Sequence, residues 1–184
     1  IFGPSKSLDR KDYPPGQHGQ SRRRKATDYA MALAEKQKMR YYYGLMEKQF
    51  RGVYKKAIRR RGVTGEIMLQ ILETRLDSVV FSLGFGYTRA QARQMVTHGH
   101  VLVNGKRART PSIALNENDA VEIKPVEKSR HLADKNLEYS TSRIVPEWLE
   151  LDKGAYKGTL KRMPTREDVE PIANEQTIVE FYSR

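Results

Sequence analysis

Apolar residues recur at helical spacing through residues 27–74, which predicts a series of helices packed on a common core. The first helix covers about 27–40, and Thr27 is placed to cap its amino end through the side-chain hydroxyl. A second helix is predicted over about 45–60. A third begins near Thr64, which we expect to be its N-cap.

The pattern then shortens into smaller units. A fourth apolar segment covers 76–83, and Thr88 opens a further helix with Gln91 in the position of a capping box. That helix is expected to end near His98, with Gly99 just past its last turn because glycine readily adopts positive φ. Helices therefore dominate the chain up to this point.

After Gly99 the apolar period changes from 3.6 to 2, which predicts strands. Val101 and Val103 alternate ahead of Asn104-Gly105, the strongest short signal for a β-hairpin. The remaining segments give weaker signals. They predict a strand at Val121 and Ile123, strands at 148–151 and 158–160, one short helix within 126–145, and a helix at 176–182 despite the strand propensity of Ile, Val, Phe and Tyr.

The first 26 residues are predicted to be irregular, because 12–19 contain two prolines and two glycines. Charge is concentrated in the same part of the chain. Residues 1–62 hold 17 Lys and Arg against 5 Asp and Glu, whereas residues 63–184 hold 17 of each. The net charge of +12 therefore predicts a surface that docks on a polyanion, although a solvated basic face or a disordered tail would have the same composition.

The inventory of reactive residues argues against an enzyme or a metalloprotein. The 184 residues include no cysteine, no phosphate-binding glycine loop and no His-Glu-x-x-His motif. His98-Gly99-His100 is expected to be a turn rather than a ligand pair, since no carboxylate is adjacent. We expect no cofactor, metal, small-molecule substrate or membrane span. The chain starts at Ile1, so a trimmed or processed N-terminus is expected.

Nucleic acid is the partner that the remaining features favour. Tyr41-Tyr42-Tyr43 follows Arg40, and rings beside cations can stack on bases while the cations contact phosphates. Three consecutive tyrosines cannot all face one side of a helix, so some are expected in the core and at least one outside. Residues 75–109 carry six arginines and lysines against Asp77 alone. This region is expected to be a second basic surface, although solvated arginines on an ordinary α+β domain remain an alternative.

These segments resemble a known family. Arg75-Leu76-Asp77, the run from Thr88 to Gln94 and the run from Gly99 to Lys106 look like the RNA-binding module named after the fourth protein of the small ribosomal subunit. Tyr13-Pro14-Pro15-Gly16-Gln17-His18-Gly19 and the terminal Ile178-Val179-Glu180-Phe181-Tyr182-Ser183-Arg184 extend the resemblance to the family of that ribosomal protein, of bacterial or organellar type. It covers essentially the full chain, in order.

The resemblance implies an α+β fold in which a helical domain carries an inserted RNA-binding domain of short helices and a small, mostly antiparallel sheet. The implied boundaries are a basic extension at 1–26, a helical domain at 27–74 completed by 164–184, and an inserted domain at 75–163 with its RNA-binding module at about 75–137. It also implies a primary binder of small-subunit ribosomal RNA, docked at a multi-helix junction, that nucleates assembly of the subunit body.

Further partners come from the same resemblance. Contact with neighbouring small-subunit proteins, notably the fifth, would influence decoding accuracy, and messenger RNA would pass nearby. The implied location is a cytoplasmic or organellar ribosome. Some relatives bind zinc through cysteines near the N-terminus, which this chain lacks. Three other classes of protein are alternatives: an RNA-modifying enzyme such as a pseudouridine synthase, a stand-alone stress RNA-binding protein and a nonspecific DNA-compacting protein.

We assign the predicted RNA contacts to four groups. Arg22, Arg23, Arg24 and Lys25 would clamp the backbone. Lys38, Arg40, Tyr41, Lys48, Arg51 and Lys55 would line the helical face. Arg75, Arg89, Arg93, His100, Asn104 and Lys106 would form a second grip. Gln17 and His18 would bond sugar or phosphate from a rigid loop.

Overall fold

The structure, a computed structural model, describes residues 6–21, 25–141 and 143–183. Within them the helices are α1 (Lys6–Arg10), α2 (Asp28–Tyr42), α3 (Glu47–Ile58), α4 (Thr64–Glu73), α5 (Leu76–Ser82), α6 (Arg89–Thr97), α7 (Glu127–Tyr139) and α8 (Glu175–Ser183). The strands are β1 (Val101–Val103), β2 (Lys106–Ala108), β3 (Ala120–Ile123), β4 (Leu149–Asp152) and β5 (Lys157–Leu160). The α+β prediction is confirmed.

The first apolar core lies between α2, α3, α4 and α8. Helix α3 shows why it forms: Phe50, Val53, Tyr54 and Ala57 recur at spacings of three and four, and all four are buried. The same spacing leaves the other faces of α3 to its charged residues. Ile178 brings α8 into this core, so the last turns of the chain pack against helices formed near its beginning.

The second core lies between α5, α6, α7 and a single antiparallel sheet in the order β2-β1-β3-β5-β4. Trp148, just ahead of β4, is the largest side chain that is fully buried there. β1 contributes Val101, which pairs with Ala108 of β2 and with Ile123 of β3. The strands predicted near 121, 148 and 158 are thus one sheet, assembled around β3.

The hairpin and the helix before it match the predicted turns. Asn104 and Gly105 both have positive φ, at 50° and 74°, as a type I′ turn requires. The Thr88 hydroxyl accepts from the Gln91 amide at 3.1 Å, which caps α6 as expected. The Gln91 side chain closes the box on the Tyr87 amide at 2.8 Å, one residue earlier than the motif predicts.

Three local predictions were wrong. Thr64 is the first residue of α4 rather than its cap, which is Val63 without a side-chain bond. Helix α3 begins at Glu47, two residues after the predicted start. The segment predicted to be irregular contains the single-turn helix α1, because the prolines and glycines of 12–19 lie downstream of that turn. The predicted C-terminal helix, by contrast, is confirmed by α8, because burial of Ile178 outweighs strand propensity.

Candidate nucleic-acid interface

One face of α3 is a row of exposed cations. Lys48, Arg51, Lys55 and Arg59 follow one another at intervals of three or four residues, so they share a side of the helix. That side is opposite to the buried Phe50. In the described parts of the chain, no ion pair involves any of these four cations.

The row continues past the end of the helix. Arg60 and Arg61, which were not among the predicted contacts, are exposed beyond α3, and Lys56 is exposed on its last turn. Cations are favourable near the C-terminal end of a helix because of the helix dipole. The dipole would explain Lys55 and Lys56, in the last turn of α3, without any binding partner. The dipole acts only over the last turn and does not account for Lys48 or Arg51. We call Lys48, Arg51, Lys55, Lys56, Arg59, Arg60 and Arg61 the α3 ridge.

The three consecutive tyrosines divide between core and surface. Tyr43 is 5% exposed and lies in the first core, Tyr42 is intermediate, and Tyr41 is 50% exposed. The Arg40 guanidinium lies 4.6 Å from the centre of the Tyr41 ring. Lys38, one turn earlier, is exposed and pairs with Glu35. The mixed placement predicted for the tyrosines is therefore confirmed.

Arg89 lies between the two cores with its side chain largely buried. Its guanidinium lies 4.2 Å from the Tyr42 ring centre and 4.6 Å from those of Tyr43 and Phe81. It also contacts Glu73 at 3.4 Å, and the Tyr43 hydroxyl donates to the same Glu73 oxygen at 2.6 Å. Burial lowers the pKa of Arg89, but the Glu73 carboxylate together with Tyr43 and Tyr42 raises it above its ordinary value. We call these five residues the Arg89 hub.

The prediction that Arg75 and Arg89 contact RNA stays a prediction, but both side chains are largely enclosed by the fold. Arg75 is 8% exposed and donates two hydrogen bonds to Asp77, at 2.9 and 2.7 Å. The side chain of Arg89 is only 14% exposed. The Arg93 guanidinium contacts Asp77 Oδ2 at 3.3 Å, but its side chain is 37% exposed and remains partly open to solvent. Two of the three arginines are thus paired with carboxylates inside the fold, Arg75 with Asp77 and Arg89 with Glu73.

The hairpin supplies exposed cations and one residue with a structural task. Lys106 and Arg107 are exposed on β2. The Asn104 side chain instead spans the turn, donating to Asp119 at 2.8 Å and accepting from the Ala120 amide at 2.8 Å. Both ends of its amide are therefore engaged within the protein, and its contact with RNA stays a prediction. His100 is partly buried against Ser129.

The N-terminal contacts are only partly described. Gln17 and His18 are exposed on a turn in which the His18 carbonyl accepts from the Ser21 amide at 3.1 Å. Lys25 is exposed as well. The predicted clamp residues Arg22, Arg23 and Arg24 lie outside the described residues.

A partly buried ion pair, joined by a tyrosine from the far end of the chain, lies at the first residue of α3. Lys36 is 5% exposed, and its ammonium contacts Glu47 at 2.8 Å, while the Tyr182 hydroxyl donates to the other Glu47 oxygen at 2.6 Å. Burial and the Glu47 carboxylate raise the pKa of Tyr182 above its ordinary value. Glu47, the one carboxylate of α3, is thereby committed to internal partners and leaves the α3 ridge uncompensated.

The described residues meet neither the requirements of a metal site nor those of a membrane-spanning helix. Among the described residues, no group of three or more His, Asp or Glu side chains is arranged to hold a metal ion. The described helices include none that is both long and apolar enough to cross a membrane.

Comparison with known proteins identifies the family. Residues 2–73 match the model of the ribosomal protein S4/S9 N-terminal domain, and residues 74–121 match the S4 domain. The chain is 52% identical to the small ribosomal subunit protein uS4 of Opitutus terrae and 48% identical to that of Akkermansia muciniphila, covering 100% of this chain and 91% of each relative. It is 46% identical to uS4 of Thermus thermophilus, over 100% of this chain and 88% of the relative. The chain belongs to the uS4 family of ribosomal small-subunit proteins, which are structural RNA-binding components of the ribosome and not enzymes.

Proposed function

We propose that this protein is a primary binder of small-subunit ribosomal RNA, that it docks at a multi-helix junction, and that it nucleates assembly of the subunit body. The observation that carries the proposal is the α3 ridge: seven exposed cations on α3 and the residues directly after it, with the nearby carboxylate Glu47 held by Lys36 and Tyr182. Uncompensated like charges destabilise a free protein, and an anionic partner relieves that repulsion.

Affinity would come mainly from phosphate neutralisation. Each phosphate met by a lysine or arginine releases condensed counterions, so binding weakens steeply with salt. Selectivity would come from shape, because a folded junction presents phosphates at fixed angles. The Arg89 hub supports such matching, since it joins α2, α4, α5 and α6 through one buried guanidinium.

The contacts we propose differ from those predicted from sequence: Arg59, Arg60 and Arg61 are added, Lys38 and Asn104 are left out, and Arg75 and Arg89 take a different role. Phosphates would meet Lys48, Arg51 and Lys55, joined by Arg59, Arg60 and Arg61, and a base would stack near Tyr41 and Arg40. Lys106, His100 and the outward edge of Arg93 would form the second grip. The extension, with Gln17, His18 and the basic run through Lys25, would add backbone contacts. Arg75 and Arg89 would act as positioning residues that hold the surfaces without touching RNA.

We also propose the domain division 27–74 with 164–184, and 75–163 inserted between them. The separate cores support it: the first contains α2, α3, α4 and α8, and the second contains the sheet with α5, α6 and α7. Under this division the two basic surfaces belong to different domains.

Neighbouring proteins and messenger RNA complete the proposal. Tyr29 and Met31 are 57% and 51% exposed, and the Tyr29 ring lies 5.5 Å from Phe181 of α8. Such an apolar patch suits a protein neighbour, which we propose is the fifth small-subunit protein. Through this contact the protein would influence translational accuracy, with messenger RNA passing near the basic extension. We place it in a cytoplasmic ribosome of the bacterial type.

Nuclease footprinting of small-subunit ribosomal RNA at several salt concentrations tests the function. We expect protection of one helical junction that persists at moderate salt. The triple variant Lys48→Gln, Arg51→Gln and Lys55→Gln should lose that protection. Diffuse protection that disappears as salt rises would contradict specific binding.

A matched control separates the α3 ridge from total charge. Lys135, Lys153 and Lys161 are exposed and lie outside every proposed contact. Replacing these three with glutamine removes the same charge. If the control weakens the footprint as much as the α3 variant does, only bulk charge matters and the ridge has no special role.

A further inference from the structure

Two exposed tyrosines from different elements meet beside the end of α7. Tyr87, in the loop between α5 and α6, and Tyr139, the last residue of α7, are both more than half exposed. Their ring centres lie 5.8 Å apart with the planes inclined at 61°, which is an edge-to-face pair. Ile144, in the segment after α7, is almost fully exposed. We call Tyr87, Tyr139 and Ile144 the tyrosine patch.

An arginine joins the segments that carry the tyrosine patch. The Arg143 guanidinium donates to three backbone carbonyls at distances of 3.0 to 3.3 Å, those of Phe81, Gly86 and Tyr87. It also lies 4.0 Å from the centre of the Phe81 ring. The segment after α7, which includes Ile144, is therefore held against the loop that carries Tyr87.

A second link holds α6 against α7 next to the tyrosines. The Gln91 side chain accepts from the Tyr87 amide at 2.8 Å and donates to Asn136 of α7 at 3.0 Å. Asn136 is buried and donates to the Phe85 carbonyl at 2.7 Å. These bonds fix the backbone of Tyr87 relative to α7, so the two rings are placed before any partner arrives. A preformed surface binds its partner at a lower entropic cost.

The charges around the tyrosine patch argue against a nucleic-acid partner. The two arginines nearest to it in the chain have internal partners, because Arg89 lies in the Arg89 hub and Arg143 donates to backbone carbonyls. Lys135 and Glu138, just before Tyr139 on α7, are exposed and carry opposite charges. In a chain with a net charge of +12, this neutral apolar surface suits an uncharged partner rather than a polyanion.

The size of the tyrosine patch also restricts its partner. Aromatic side chains bury about 150–250 Å² each, so two half-exposed tyrosines and one isoleucine offer on the order of 300 Å². A stable interface between folded proteins buries about 800 Å² on each partner. The patch is therefore too small to hold a second copy of this chain or another globular protein, whereas a short extended segment fits it.

The polar groups of the tyrosine patch are hydrogen-bond donors. In the described part of the chain, neither the Tyr87 nor the Tyr139 hydroxyl has a hydrogen-bond partner. Each ring thus offers an apolar face together with a free donor. Proline-rich chains match this combination, because proline has a carbonyl acceptor but no N–H, and such chains dock on aromatic-lined grooves. The polyproline helix leaves all its carbonyls without internal bonds.

We propose that the tyrosine patch binds a short, uncharged, proline-rich segment of another protein in the extended polyproline conformation. Proline rings would pack in the angle between the Tyr87 and Tyr139 rings, and the two hydroxyls would donate to carbonyls of the segment. Ile144 would add an apolar contact. No residue of the tyrosine patch belongs to the contacts proposed for RNA, so this inference does not rest on the proposed function.

Titration of the isotope-labelled full chain with a decamer of proline, followed by amide NMR, tests the site. We expect saturable shifts at the amides of Tyr87, Tyr139 and Arg143. The double variant Tyr87→Ser and Tyr139→Ser should weaken binding by about tenfold, because both rings are lost. Tyr87→Phe with Tyr139→Phe keeps the rings and should weaken binding by about fivefold, since the donors are lost. A proline decamer that moves no amide of the patch overturns the inference.

A matched control removes two exposed apolar side chains elsewhere. Ile58→Ser with Val63→Ser, at the turn between α3 and α4, should leave the affinity for the proline decamer unchanged. A glycine-serine decamer is equally long and uncharged but flexible, and it should not shift the amides of the patch. Equal binding of this peptide, or an equal loss in the control variant, overturns the inference.

Two other occupants of the tyrosine patch have their own outcomes. In sedimentation of the concentrated wild type we expect a monomer, and a dimer that Tyr87→Ser with Tyr139→Ser abolishes would assign the patch to a second copy and overturn the inference. In filter binding we expect that double variant to bind ribosomal RNA like the wild type, and a loss of affinity would assign the patch to RNA instead. The peptide titration needs no RNA, so it remains decisive even if the proposed function fails.

Discussion

Two basic regions of this protein use the same residue type in opposite ways. On α3, Arg51 and its neighbours lie in solvent without ion-pair partners among the described residues. Around α5 and α6, Arg75 and Arg89 are buried and bonded to carboxylates. The difference arises from the acids within reach. Asp77 and Glu73 face the second group, whereas Glu47 of α3 is turned inward to Lys36.

The comparison shows that net charge does not by itself reveal a binding surface. A buried arginine that has a partner contributes to the fold, and removing it leaves a carboxylate desolvated and unpaired. An exposed arginine without a partner contributes little to stability and is available to an external anion. Substitutions should therefore separate stability from RNA affinity, depending on which region they alter.

The largest effect is expected at the Arg89 hub. Arg89→Met should lower the free energy of unfolding by about 3 kcal/mol, because Glu73 loses its buried counter-charge and three rings lose their cation. Urea unfolding followed by circular dichroism measures this. Adding Glu73→Gln in the same chain should restore part of the loss. A single variant within about 0.5 kcal/mol of wild type would mean that the guanidinium is not structural.

Next in size is the effect of one exposed arginine on binding. Arg51→Gln should weaken ribosomal RNA binding by about tenfold and reduce the salt slope by about one counterion, since one phosphate contact is lost. Its unfolding midpoint in urea should stay at the wild-type value. Filter binding at several potassium chloride concentrations provides both quantities. An unchanged slope would remove Arg51 from the phosphate contacts.

The partly buried ion pair of Arg162 and Asp168 should make a smaller contribution to stability than the Arg89 hub, and that contribution should depend on pH. Arg162 contacts both oxygens of Asp168, at 2.6 and 2.8 Å, and Thr165 donates from its amide and its hydroxyl. The Arg162 guanidinium, followed by the Thr165 donors, holds the pKa of Asp168 well below its ordinary value despite partial burial. Asp168→Asn should therefore cost about 1 kcal/mol at neutral pH.

The pH window follows from the lowered pKa. A carboxyl whose pKa is depressed in the folded state adds stability above its unfolded pKa of about 4, and that contribution disappears as pH falls through the folded value. The difference in thermal unfolding between wild type and Asp168→Asn should thus begin to shrink below about pH 4 and keep shrinking as the pH is lowered further. An offset that stays constant down to acid pH would assign the effect to packing instead.

The smallest effect is a gain in stability. Lys55→Glu places a carboxylate one turn from both Arg51 and Arg59, so it replaces two repulsions by two attractions. The free protein should become more stable by about 0.5 kcal/mol in urea while RNA affinity falls. A destabilised variant would indicate that the α3 ridge is not under electrostatic strain in the free protein.

Much of the architecture could be predicted from local signals. The Thr27 cap, the positive φ of Asn104 and Gly105 and the period change after Gly99 all appear where the residues place them. These features depend on interactions within a few residues, which the sequence contains directly. The cap predicted at Thr64 shows the limit of such local signals. Val63 is the N-cap of α4 instead, and it makes no side-chain hydrogen bond to the helix.

The sequence by itself determined the helix and strand types, the concentration of positive charge in the first third and the family to which the chain belongs. Only the tertiary structure decided which cations face solvent. Arg75 and Arg51 look alike in a linear pattern, but Asp77 and Glu47 have different partners after folding. Burial and ion pairing depend on contacts between residues far apart in the chain, such as Tyr182 with Glu47 and Tyr43 with Glu73.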